Sequence, residues 1–90
     1  MSNADLDATY KFPDSHLVLA ATRANRLSPR EREIFLQLGR ALSNHQIATL
    51  LSISDLTVRC HLTRIFTKLE VSSRLEAGLV SFIVQLHLSW

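Results

Sequence analysis

The chain has 90 residues, 47% of them apolar, which fits one small domain with a compact core. A single cysteine, Cys60, excludes an internal disulfide and suits a reducing cytosol. The longest apolar stretch, Leu79 to Trp90, is broken by Ser81, Gln85, His87 and Ser89 and is shorter than the ~20 residues a membrane span needs; no secretory signal precedes it.

The net charge of +2 is unevenly spread. Residues 1–14 carry Asp5, Asp7 and Asp14 against Lys11, whereas residues 15–90 carry nine Arg/Lys against five Asp/Glu. Such a balance permits nucleic-acid binding without requiring it.

In chain order, residues 1–14 read as a polar tail, whose opening Met-Ser-Asn-Ala is a cloning remnant or a frayed terminus. Residues 15–25, rich in Ala and Leu, are expected to form a short helix leading through residue 26 into the main domain, residues 27–90. Ser28 as N-cap, Pro29 at the first helical position and Glu31 three residues after the cap start a helix running to about Arg40. Leu27, Ile34, Phe35 and Leu38 share its apolar side. Ser43 caps a shorter helix, Asn44 to Leu51, with Ile47, Ala48 and Leu51 inward. After Ser52-Ile53, Ser54 caps a helix from Asp55 to Leu69, in which Val58, Leu62, Ile65 and Leu69 form one buried stripe. Residues 71–73 turn the chain into a last helix from about Arg74 to Leu86. No segment alternates like a strand, so the fold class is all-α, a four-helix bundle with a short extra N-terminal helix.

A short helix, a three-residue turn and a longer helix make a helix-turn-helix candidate. The outer face of the longer helix sharpens it. Opposite the buried stripe lie Leu56, Cys60, Thr63 and Thr67, flanked by Arg59 and Arg64, with no carboxylate after Asp55. Small polar side chains between two arginines can enter a groove and reach base edges and phosphates. A plain solvated helix face is the competing account of the same pattern.

Other constellations are weaker. Cys60 and His61 are adjacent on a helix and point ~100° apart, so they make no thiol–imidazole pair, and nothing marks the chain as an enzyme. His16, His45, His61 and His87 lack zinc-ligand spacing, and no cofactor is expected. His61, beside the core stripe, is expected to be a half-buried structural residue bonded to backbone. The last helix is apolar nearly all round: Ala77, Val80 and Val84 on one side, Leu75, Leu79, Phe82 and Leu86 on another. The second side is expected to be an interface with a second copy rather than a bed for residues 15–25.

The stretch from Leu27 to Ala77 resembles the LuxR-type (GerE-type) DNA-binding domain of bacterial transcription regulators. The likeness rests on Leu27-Ser28-Pro29 with Arg30-Glu31-Arg32-Glu33, Leu42-Ser43-Asn44, Ile47-Ala48 and Ile53-Ser54. Thr57-Val58, His61, Ile65, Lys68-Leu69, Val71 and Arg74 with Glu76-Ala77 complete it. The resemblance implies a regulator that binds a promoter as a dimer, with the helix Asp55 to Leu69 as reader. It implies base contacts from Arg59, Cys60 and Thr63, and phosphate contacts from Asn44, Thr57, Arg64 and Lys68. It also implies dimerisation through the last helix, no membrane association, a cytoplasmic location, and another regulator or RNA polymerase as a further partner. Two features depart from the family pattern. His45, Leu50 and Leu56 stand where charged residues are common, which thins the positive field. Glu70 stands where Gly or Asn is usual after the reader helix, and would be strained if that position needs φ > 0. The alternative function is a protein-interaction module that keeps the fold without DNA affinity.

Overall fold

In a computed structural model the described residues are 16–87; the expected tail at 1–14 and the last three residues lie outside them. Helix α1, at residues 16–22, passes directly into a 3-10 turn at Arg23–Arg26. It is followed by α2 (Pro29–Gly39), α3 (Asn44–Leu51), α4 (Asp55–Leu69) and α5 (Arg74–His87). The described residues are thus all-α. The adjustments at element boundaries are local: α2 stops at Gly39 rather than Arg40, α5 runs to His87 rather than Leu86, and the 15–25 segment tightens into 3-10 geometry over its last turn, a common helix ending.

Side-chain caps set the helix starts. Ser28 accepts from the Glu31 amide while the Glu31 carboxylate accepts from the Ser28 amide, a complete capping box. Ser43 and Gln46 repeat it at α3, and Ser54 caps α4 through the Thr57 amide. The helix ends are less conventional. Ala41, Ser52 and Glu70 take φ of 62°, 58° and 59°, left-handed conformations that favour glycine.

The core joins Ala20, Ala24, Ile34, Phe35, Ile47, Val58, Ile65, Leu69, Val80 and Val84, all buried. Helix α5 packs chiefly on α2, and α4 bridges α2 and α3. Gly39 permits the α2–α5 approach, since a Cβ there would stand 2.6 Å from Ser81 Oγ and 3.0 Å from the Phe82 amide nitrogen. Buried Ser81 donates to the Phe35 carbonyl at 2.6 Å, and Gln85 donates to the Leu36 carbonyl at 3.1 Å. These bonds fix the rotation of α5, so that Ala77, Val80 and Val84 face in while Leu75, Leu79, Phe82 and Leu86 are left exposed. Among the described residues, nothing covers that outer strip.

Candidate nucleic-acid interface

Helices α3 and α4 form the helix-turn-helix. The connection is built by Ser52 in the left-handed region and by the Ile53 amide donating to the Ala48 carbonyl at 3.0 Å. Val58, Leu62, Ile65 and Leu69 anchor α4 in the core, so helical periodicity alone turns the opposite side to solvent. Leu56, Arg59, Cys60, Thr63, Arg64 and Thr67 are all exposed there. Asp55 lies at the helix start, where the dipole favours it, and no other carboxylate is on the helix. Among the described residues neither the Arg59 nor the Arg64 guanidinium meets a carboxylate, so both charges project unneutralised.

The hydroxyls on this face are partly spent. Thr63 donates to the Arg59 carbonyl at 3.2 Å and Thr67 to the Thr63 carbonyl at 3.0 Å. What these residues offer outward is acceptor lone pairs and methyl groups. Thr57, half-buried, shares a 2.8 Å hydrogen bond with the Ser54 hydroxyl, which stiffens the first turn of α4.

Besides Thr57, two more residues expected to meet phosphates have protein partners. The Asn44 amide oxygen accepts from Arg74, which also donates to the Leu42 carbonyl at 2.8 Å. Arg74 thereby orients the Asn44 amide with its NH2 left over as a donor. Lys68 Nζ lies 2.7 Å from the Glu31 carboxylate, whose side chain is almost entirely buried. Burial pushes the Glu31 carboxyl up, but hydrogen bonds from Lys68 and the Ser28 amide, with the Lys68 charge, outweigh it and hold the group below its ordinary value.

The far end of α4 is tied down by residues that sequence reasoning passed over. Arg23 donates to the Leu69 carbonyl at 3.2 Å and pairs with Glu70 at 3.1 Å. Arg26 donates to the Lys68 carbonyl at 3.3 Å and meets the same Glu70 oxygen at 3.1 Å. The two arginines satisfy the last carbonyls of the reader helix and hold the chain entering the domain against its C-terminus. The available signal was the odd glutamate at position 70 together with two arginines spaced one turn apart. One expectation changes: His61 is half-buried, but its Nδ1 is buried without a hydrogen-bond partner, so no backbone group holds that nitrogen. Its ring is placed by packing beside the core stripe rather than by a bond from that atom.

Residues 25–81, well over half the chain, match the family model described as bacterial regulatory proteins, luxR family. The chain belongs to the luxR family of bacterial regulatory proteins. The helix-turn-helix, α3 and α4, lies wholly within the matched residues. The chain is 41% identical over 54 residues to the nitrate/nitrite response regulator protein NarP of Escherichia coli, covering 60% of this chain and 25% of that protein. It is 36% identical over 64 residues to the transcriptional regulatory protein YhcZ of Bacillus subtilis, covering 71% and 29%. It is 39% identical over 56 residues to the response regulator protein VraR of Staphylococcus aureus, covering 62% and 27%. The chain spans about a quarter of the length of these relatives. No described helix is long and apolar enough to cross a membrane.

Proposed function

We propose that the chain reads a specific duplex sequence in the cytoplasm, with α4 in the major groove and two copies on an inverted repeat. The observation that carries this is the outer face of α4: exposed, flanked by two unneutralised arginines, and free of carboxylates after Asp55. In this reading Arg59, Cys60 and Thr63 meet base edges, and Asn44, Thr57, Arg64 and Lys68 meet the backbone. Lys68 uses one of three ammonium hydrogens on Glu31 and keeps two for a phosphate; Asn44 offers the NH2 that Arg74 turns outward.

The exposed strip Leu75, Leu79, Phe82 and Leu86 supports pairing of two copies. It borders an open groove of about 480 Å³ between α2 and α5, lined by Leu38, Leu42, Leu75, Gly78, Leu79 and Phe82, which can receive side chains from a second copy. Two-fold pairing there would set two reader helices about one DNA turn, ~34 Å, apart. RNA polymerase or another regulator is the further partner of such a DNA-bound dimer.

Exposed Leu50 and Leu56 beside the arginines favour a second reading, a protein-interaction module of the same fold. Mobility shift on random duplex DNA at low salt, followed by a salt titration, separates the two. The two phosphate-bound cations of each monomer, Arg64 and Lys68, predict a log–log slope on the order of −4 for a dimer. Absence of any shift at low salt would overturn DNA reading and leave the interaction module.

A further inference from the structure

We infer that Leu56 is a specificity-determining residue of the reader helix, and that the group it recognises is the 5-methyl of a thymine in each half-site. The inference rests on the major-groove reading of α4 and names the base chemistry that one side chain selects. An exposed leucine means little by itself. The position of this one decides its meaning.

Leu56 is the second residue of α4 and is 61% exposed. The N-terminal residues of a recognition helix are those that reach base edges. At ~100° per residue, Leu56 lies within about 60° of Cys60, Thr63 and Thr67, on the side opposite the buried stripe. The Ser54 cap and its bond to the Thr57 hydroxyl fix the turn that carries it. Its neighbours leave it apolar company. Thr63 and Thr67 have given their hydroxyl hydrogens to helix carbonyls, and Cys60 behaves as a small hydrophobe with a weak donor.

The major groove offers donors, acceptors and one apolar feature, the thymine methyl. A leucine can neither donate nor accept. Laid on a guanine, adenine or cytosine edge, it would strip water from polar atoms and return nothing. Laid on a thymine it buries a methyl group against its own. Both the gain and the penalty select the same base.

The test uses the whole 90-residue chain and a duplex selected from a randomised library by repeated capture. Each thymine of the selected duplex is replaced in turn by deoxyuridine, which lacks only the 5-methyl. Binding is then titrated with the wild type and with Leu56→Ala. One thymine per half-site should cost the wild type about 4-fold when its methyl is removed. Leu56→Ala should bind the thymine and uracil duplexes alike, and its circular dichroism melt should match the wild type. A wild type indifferent to deoxyuridine at every position overturns the inference while the DNA reading stands, as does a loss unchanged in Leu56→Ala. Binding of random duplex with no sequence enriched overturns it too, because no base is then being read. Failure to bind any duplex at low salt overturns the DNA reading and this inference with it.

Discussion

At the scale of single residues, charge is divided between groups left free and groups already engaged. Arg59 projects from α4 without a carboxylate partner and, in the reading proposed, forks onto a guanine edge. Such a contact is worth ~1–3 kcal/mol of discrimination. Arg59→Ala should therefore relax specificity at one base position, measured by titrating single-base operator variants; an equal loss on every variant would show a phosphate contact instead. Glu31 is the opposite case, a buried carboxylate held charged by Lys68 and the Ser28 amide. Its folded-state pKa is depressed, so its contribution to stability is present above its ordinary value of 4.5 and is lost as pH falls through the lower, folded one. Glu76, bonded to the Ser72 hydroxyl and amide, is depressed in the same direction. The melting temperature should hold nearly level from neutral pH down to about 5 and then fall as both carboxyls protonate. Glu31→Gln should flatten that acid slope, and an unchanged slope would remove Glu31 from the account.

At the scale of elements, the helices start conventionally and stop unconventionally. The chain has two glycines, Gly39 and Gly78, and both serve the close approach of α2 and α5. None is left for the helix ends, so Ala41, Ser52 and Glu70 take the left-handed conformation themselves. At position 70 the strain is offset by the ion pairs to Arg23 and Arg26. The Arg26 pair is exposed and the Arg23 pair half-buried, so salt screens them to different degrees, whereas backbone strain is not screened at all. Glu70→Gly should thus be close to neutral at low salt and stabilising by about 0.5–1 kcal/mol at high salt. Thermal melts of both proteins across a salt series test this; a variant less stable at every salt concentration would mean that the two arginines outweigh the strain even when screened.

At the scale of the whole molecule, the unsolved surface is the outer strip of α5. Leu75, Leu79, Phe82 and Leu86 remain 43–72% exposed, and neither α1 nor any other described element lies over them. Two-fold burial of this strip stabilises association at ~25 cal/mol per Å², less the cost of lost freedom, so the dimer in solution should be weak and tightened by DNA. Leu79→Glu should leave the melting temperature nearly unchanged, weaken self-association in sedimentation, and reduce binding to a full palindrome while sparing a half-site. A sharply destabilised variant of a strictly monomeric parent would sink this account.

The sequence by itself determined the elements and their inward faces. N-cap serines, Pro29 and 3.6-residue periodicity are local, short-range signals, and they located α2 to α5 to within a residue or so. They also gave the outer face of α4, because a buried stripe on a helix fixes what lies opposite it. Tertiary structure alone decided which charges stand free. Lys68 finds Glu31, Arg74 finds Asn44, and Arg23 and Arg26 find Glu70 across separations of 30 to 47 residues. No local pattern encodes such pairs, since they exist only once the core has set the helices against one another. For α5 the sequence already pointed to Leu75, Leu79, Phe82 and Leu86 as the outward side; the tertiary structure added how the other side is held, with Ala77, Val80 and Val84 in the core and Ser81 and Gln85 bonded to α2.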